Sequence, residues 1–594
     1  MKKLLLGNEA AAYGAWEAGV HVVSSYPGTP STEITETISK LKGVYTEWAP
    51  NEKVAAEVAI GASLAGGRAM CCMKHVGVNV AADPLFTSSY AGVNGGLVFI
   101  CADDPGVFSS QNDQDSRFYA LSAHIPMLEP ADSDECRVFT KKAFELSEEY
   151  DTPVMVRLTT RISHSRSLTD TQEREIRAKK PYVKDIQKNV MMPGMARRKQ
   201  VLVKERDAIL SKAAEEWAET VDGGKELGVI TSGICFQYAR EVFPEASVLK
   251  LGMIYPLPEK TIWEFAEKVD RLIVIEELEP FIENYVRQLG IPVEGKEYFT
   301  ACGELGTETV KRAFFGAETP HAVLPESGGL NITDAPGRPP TLCPGCPHRG
   351  VFYTLSQLKL RVMGDIGCYT LGATAPYKAM DACICMGASI GMAHGAFKAE
   401  QAAKTELGEA YEPDGVKGTV AVIGDSTFAH SGITGLVNTV YNKGISTVII
   451  LDNSITGMTG HQQNPLTGKT ITGEETYPLD VLKLCDAVGI RRVKVVDPFD
   501  LKAFRKAVTE EVAAEEPSVI IAQRPCALLK GVKYGAPWRI DPDKCRGCGA
   551  CARLGCPAII KAGKVYKIDR AQCAGCGFCA QMCGFGAMNK EAAE

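Results

Sequence analysis

The chain has 594 residues, too many for one hydrophobic core and enough for about four domains at roughly 150 residues each. With 45% apolar and 23% charged residues the composition is globular, and a formal net charge of −7 argues against a nucleic-acid binder. No apolar run approaches the roughly 18 residues a membrane span needs, and the opening MKKLLLGNEA is too short in apolar residues for a secretory signal, so a cytoplasmic protein without membrane contact is expected.

Residues 7 to 120 alternate helix and strand signals. Asn8 is a candidate cap for a helix through Trp16 that ends at Gly19, His21 to Ser25 reads as a strand, and Pro27-Gly28-Thr29-Pro30 turns into the next helix. Glu52 to Leu64 is a helix of small and branched residues that lets neighbours approach closely. Strands at Ala69 to Met73 and Gly96 to Cys101 complete a parallel α/β domain. Lys74-His75 and the polar loop SSQNDQDSR, Ser109 to Arg117, fall at strand ends, where such sheets bind ligands. Arg117 can fork a substrate carboxylate, although an arginine here is more often a surface charge. Glu52, read alone, is a first-turn carboxylate favoured by the helix dipole.

Residues 150 to 220 are crowded with basic and polar side chains and read as a solvated connector, with an exposed helix in ARRKQVLVKERDAILSKAAEEW. Alternation returns from Lys225 to about 315, with strands near Gly228 to Ile230, Val248 to Leu251 and Leu272 to Ile275, and no residue there compels a chemical role. A Pro- and Gly-rich linker follows. CPGCPHRG at Cys343 to Gly350 is half of a zinc ribbon, but no second pair stands at ribbon spacing.

The stretch Thr419 to Gly460 carries the sharpest pattern. A strand at Thr419 to Ile423 enters Gly424-Asp425-Ser426. A helix follows, capped by Ser431 and ending at Gly444, and a second strand at Thr447 to Leu451 ends at Asp452-Asn453. Strands joined by a helical crossover are parallel neighbours, so Asp425 and Asn453 both sit at carboxyl ends. A carboxylate, an amide oxygen and a main-chain carbonyl nearby make a hard-oxygen site suited to magnesium with bound phosphates. His461 and Gln462 continue the loop.

Eight of the 21 cysteines lie in the last fifty residues. Their spacing is that of two-cluster ferredoxins, in which three cysteines of each run bind one [4Fe-4S] cluster and the fourth crosses to the other. Cluster one then takes Cys545, Cys548, Cys551 and Cys583, and cluster two takes Cys556, Cys573, Cys576 and Cys579. Four residues rather than three precede Cys556, and Gly584 stands where a proline is usual. Zinc suits this spacing less well than cuboidal clusters.

Four strings in order carry a family resemblance: GNEAAAYGAWEAGVHVVSSYPGTPSTEI with NEKVAAEVAIGASLAGGRAM, then CPGCPHRG, then DIGCYTLG with CICMGASIGMAHG, then GDS followed by DNS. Over essentially its whole length the chain resembles the 2-oxoacid:ferredoxin oxidoreductases, and among them the large subunits that act on indolepyruvate. The resemblance implies a multi-domain α/β thiamine-diphosphate-binding fold, parallel sheets flanked by helices, with a C-terminal α+β two-[4Fe-4S] ferredoxin-type domain. The implied domains are pyrimidine-binding (1–160), connector (161–222), transketolase C-terminal-like (223–318), linker (319–342), diphosphate/Mg-binding (343–530) and ferredoxin (540–594). It assigns Glu52 to the aminopyrimidine ring, Thr29 to the substrate side, and Asp425, Asn453 and the main-chain oxygen of Ile455 to magnesium. Gly424, Ser426, Gly457, Cys346, His348, Cys368 and Gly387 are implied pocket residues, with Gly387 letting backbone approach the ligand; the family usually has glycine at the place of Ser426. The implied activity is oxidative decarboxylation of aryl 2-oxo acids to acyl-CoA, with electrons passed to ferredoxin and a small β subunit completing a heterotetramer. The alternative is a non-oxidative thiamine decarboxylase with a structural ferredoxin module.

Overall fold

The computed structural model describes residues 2–182, 184–316, 340–410 and 415–590; the linker expected at 319–342 lies almost wholly outside them. The chain divides into two compact units, Met1–Leu330 and Asn331–Glu594. Among the described residues no helix is long and apolar enough to cross a membrane.

The first unit is built on a seven-stranded sheet. Its strands run in the spatial order Met253–Tyr255, Met127–Leu128, Val154–Thr159, Leu97–Asp103, Ala69–Lys74, Val22–Ser25, Tyr45–Trp48. All pairs are parallel except the first, which is antiparallel. The central strands Ala69–Lys74 and Leu97–Asp103 are buried along their whole length, as parallel strands covered on both faces must be. Apolar side chains fill both faces: Cys71 and Phe99 on one, Met70 and Ile100 on the other. A second, four-stranded sheet has the order Leu272–Ile275, Gly224–Ser232, Ala246–Leu251, Ala218–Val221. The chain that builds this second sheet also sends Met253–Tyr255 to the edge of the first, an exchange that no local pattern signals.

Two local expectations are corrected. Asn8 does not cap its helix, Gly7–Glu17; it lies inside it, buried, and its amide donates to the Pro30 carbonyl (2.6 Å) and to Glu33 (2.9 Å). The basic connector is strapped down rather than merely solvated. Arg174 donates to the carbonyls of Trp16, Val20 and Gly43, and Arg206 on the helix Pro193–Ala213 donates to Ser89 and Asp151.

The second unit carries a six-stranded, all-parallel sheet in the order Ala382–Cys383, Arg361–Gly364, Thr419–Gly424, Thr447–Asp452, Ser518–Gln523, Arg492–Val496. Here too an expectation changes. The chain turns helical at Asp425 and passes through a π turn, Phe428–Gly432, before the helix Ile433–Tyr441, so Ser431 lies inside the helical run and caps nothing. The cysteine-rich end forms two antiparallel strand pairs, Trp538–Ile540 with Met588–Lys590 and Ile559–Ala562 with Val565–Ile568. Its helical parts are single 3₁₀ turns, Cys551–Leu554 and Phe578–Met582, each carrying the third cysteine of its run. Phe578 stacks on Phe499 with ring centroids 4.4 Å apart, which joins this module to the parallel sheet domain.

Candidate functional site

In the first unit the carboxyl edge of the large sheet gathers Gly28-Thr29 after Val22–Ser25, Glu52 after Tyr45–Trp48, Lys74 at the end of Ala69–Lys74, and Asp104 after Leu97–Asp103. Asn51 caps the helix Glu52–Leu64 by accepting from Val54 N at 2.9 Å, which sets Glu52 in the first turn. Glu52 is buried, and its carboxylate lies 2.8 Å from where a Cβ on Gly77 would stand. Only glycine fits at position 77. Glu57 is exposed and pairs with Lys53, so it points away from this edge. Thr29 lies beside the loop after Leu97–Asp103, its carbonyl accepting from Ser109 Oγ at 3.1 Å. Ser109 N, Ser110 and Thr160 all donate to Asp104, and although burial works to raise its pKa these bonds hold the carboxyl below its ordinary value.

Arg117 is not available to a substrate. It is 1% exposed, and its guanidinium pairs with Asp115 and Glu276 and donates to the carbonyls of Glu277 and Glu279. Glu276 follows the strand Leu272–Ile275 of the other sheet, so the arginine ties the two sheets of this unit together instead of forking a carboxylate.

In the second unit Asp425 and Asn453 stand at the carboxyl ends of adjacent parallel strands. Asp425 Oδ1 accepts from Ser426 N at 2.7 Å, whereas its buried Oδ2 has no protein partner. Burial first, and the negative charge of Asp452 after it, push the Asp425 carboxyl up to about 7. An orphaned, desolvated carboxylate oxygen is what a bound cation would satisfy. Asn453 Oδ1 accepts from Ile455 N at 3.2 Å, while its Nδ2 faces His348 Nε2 at 3.5 Å. Burial lowers the His348 pKa to about 4, so the imidazole is neutral and can offer an acceptor that keeps the amide nitrogen turned to it and the amide oxygen away. Ser426 and Asn464 both bond Thr456, lining the loop with hydroxyls. Gln462 is buried within this loop, and His461 is exposed with φ of 72°.

Two of the expected pocket glycines make room for protein neighbours. A Cβ at Gly387 would stand 2.4 Å from Ser431 Cβ, and the Gly387 N–H donates to Asp365, so its bare backbone accommodates a helix neighbour. Gly424 makes room for the ring of Tyr369, 2.6 Å from where its Cβ would be. Gly457 does lie at the site, within 4.0 Å of the Asn453 amide and 3.6 Å of Cys368 Sγ by the same measure.

Reasoning from sequence placed Cys346 and Cys368 at the pocket but did not join them to Cys343 and Cys526, four thiols that lie within electrostatic reach of one another. Burial first, and then the neighbouring thiols Cys343 and Cys368, push Cys346 up to about 12. Cys368 is pushed up to about 11 by burial and by Cys526 and Cys343, and Cys526 is raised by burial and by Cys343. Cys526 N also donates to the Asn453 carbonyl at 2.9 Å, which fixes the group against the Asp425–Asn453 edge. The pair in CPGC and Cys368 were named from the chain; Cys526, brought in by another strand end, was not.

The cysteine-rich module holds two cavities. One is lined by Cys556, Cys573, Cys576 and Cys579, the other by Cys545, Cys548, Cys551 and Cys583, so each contains the three cysteines of one run and the crossing fourth. Among the described residues no three His, Cys, Asp or Glu side chains converge on a single-ion site. The Ala587 N–H points at Cys583 Sγ from 3.4 Å, a bond of the kind that tunes cluster potential. The first cavity also touches Pro344, Gly345 and Arg349 of the CPGC segment, and a Cβ on Gly345 would lie 3.3 Å from Ala574. Arg349 holds the module by donating to the Leu554 carbonyl at 2.9 Å.

Each half of the chain matches a thiamine family. Residues 13–221 match "Pyruvate flavodoxin/ferredoxin oxidoreductase, thiamine diP-bdg", and residues 365–522 match "Thiamine pyrophosphate enzyme, C-terminal TPP binding domain". The chain is 40% identical to the indolepyruvate oxidoreductase subunit IorA of Thermococcus kodakarensis, over 94% of this chain and 92% of that protein. It is 38% identical to the subunit of the same name from Methanothermobacter thermautotrophicus, over 99% of this chain and 97% of that protein. The 2-oxoglutarate synthase subunit KorA of Archaeoglobus fulgidus is more distant, 24% identical over 50% of this chain and 94% of its own length. With matches of this identity covering nearly all of the chain and of its relatives, the chain belongs to the indolepyruvate oxidoreductase IorA family, thiamine-dependent oxidoreductases of the 2-oxoacid type.

Proposed function

We propose that this chain is the cofactor-bearing subunit of an enzyme that oxidatively decarboxylates aryl 2-oxo acids such as indolepyruvate, passing the acyl group to coenzyme A and the electrons to ferredoxin. A small partner subunit, completing a heterotetramer, belongs to the same reading, as the relatives are named as subunits.

Thiamine diphosphate, when bound, supplies the nucleophilic carbon and the electron sink for decarboxylation. Glu52, fixed under Gly77, is the carboxylate offered to the aminopyrimidine. Asp425 Oδ2, Asn453 Oδ1 and the Ile455 carbonyl are the hard oxygens offered to magnesium, and the orphaned Oδ2 fits that role. His348 holds the Asn453 amide in the orientation that leaves its oxygen for the metal.

The observation that carries the oxidative reading is the run of thiols in the second unit. Cys526, bonded to Asn453, belongs to the same group as Cys343, Cys346 and Cys368, and the CPGC segment lies against the cavity of Cys556, Cys573, Cys576 and Cys579. We read the four thiols as the ligands of a further iron–sulfur cluster, beyond the two in the ferredoxin module. Clusters held at these three places supply one-electron steps from the thiamine edge outward. A non-oxidative decarboxylase has no use for thiols bridging the two.

The test is low-temperature EPR of the anaerobically purified subunit complex with thiamine diphosphate, magnesium, coenzyme A and a series of 2-oxo acids. Reduced-cluster signals are expected with indolepyruvate and phenylpyruvate. Silence with every acid, while dithionite still reduces the clusters and aldehyde accumulates, would establish the non-oxidative alternative.

A further inference from the structure

We propose that Lys74 anchors the carboxylate of the 2-oxo acid, in the place that sequence reasoning gave to Arg117. The proposal rests on the reading that this chain acts on 2-oxo acids, and it concerns a residue which that reading leaves without a role.

Lys74 is 9% exposed, at the carboxyl end of a central strand of the large sheet. Its ammonium has three protons to donate, yet it makes one hydrogen bond, to the Ser109 carbonyl at 2.9 Å. No described carboxylate comes within ion-pair distance of it. Asp104 and Glu52 are near enough to favour its charged form, and neither touches it. Burying a charge that is neither paired nor fully hydrogen-bonded is expensive, so a lysine kept in this state is completed by a ligand that brings negative charge.

The surroundings define which negative charge. Lys74 immediately precedes the helix His75–Ala91, which begins without a side-chain cap, so the positive end of a 17-residue helix adds to the ammonium. The lysine stem runs past Gly28, where a Cβ would come within 3.3 Å of Lys74 Cγ and Cδ; Thr29 follows, and its carbonyl is bonded to the same Ser109. Glu52, the carboxylate offered to the aminopyrimidine, is within electrostatic reach of the ammonium and favours its charged form. A carboxylate held here would be an anion bound beside the ring-binding residue, which describes the acid group of the substrate. Burial pulls the Lys74 pKa down to about 8, against the pull of Asp104 and Glu52, and a bound carboxylate would restore it.

The test uses the thiamine- and magnesium-loaded complex and calorimetric binding of indole-3-lactate, an unreactive acid analogue, with indole-3-ethanol as the same ligand lacking the carboxylate. Lys74→Met and Lys74→Gln are expected to weaken indolelactate binding by about 10- to 100-fold, the scale of a charge-assisted bond. Binding of indole-ethanol and of thiamine diphosphate should be unchanged, and thermal stability should hold or rise, because the substitution removes a poorly compensated buried charge. If either folded neutral variant binds indolelactate as the native protein does, Lys74 is not the anchor and the substrate reading stands. If the native protein binds no aryl acid at all, the substrate reading fails and takes this proposal with it.

Discussion

Replacing Arg117 with methionine separates an internal tie from a substrate clamp. The guanidinium is paired with two buried carboxylates, Asp115 and Glu276, and hydrogen-bonded to two carbonyls. Removing one partner of a buried pair costs about 3–5 kcal/mol, and here two acids are stranded, so a value near about 5 kcal/mol is expected. For a unit of 330 residues, with an unfolding entropy of about 0.7 kcal/mol/K, that lowers its melting transition by about 7 °C. The effect depends on pH in a definite direction. Burial already holds the Glu276 carboxyl above its ordinary value, although Arg117 pulls it down. Without Arg117 it rises further. An acid whose folded pKa exceeds its unfolded one subtracts no stability below the unfolded value and progressively more as pH climbs through the folded value. The loss in Arg117→Met is therefore larger at pH 8 than at pH 5.5. Differential scanning calorimetry at the two pH values, alongside steady-state kinetics, provides the measurement. An unchanged melting profile with a KM for the 2-oxo acid raised tenfold or more would refute the argument and return Arg117 to the substrate.

Asp425→Asn removes the orphaned oxygen and should weaken magnesium-dependent binding of thiamine diphosphate by at least about a hundredfold in calorimetry; binding within tenfold of native would show that Asp425 does not ligate the metal. Cys526→Ser should lower the iron content by about one cluster per chain and abolish reduction by 2-oxo acids, while dithionite still reduces the clusters of the ferredoxin module; full iron content by chemical assay would dissolve the four-thiol group.

The parts of this protein that were legible in the chain are those specified over short distances. Parallel strands announce themselves as apolar runs followed by helix patterns, which is why Asp425 and Asn453 could be set at adjacent carboxyl ends before any coordinates. The two cysteine runs stand out by their spacing, and each cavity of the module is lined by three cysteines of one run and one of the other. What local pattern cannot contain is the identity of a distant partner. Arg117 looked free because Glu276 reaches it from another sheet, and Asn8 looked like a cap because Pro30 and Glu33 are two elements away. Cys526 drew no attention in the chain for the same reason. Strand periodicity fixes which face a residue takes, but side chains from separate strand ends meet only when the sheet order sets them side by side, and that order is decided by the packing of the whole unit.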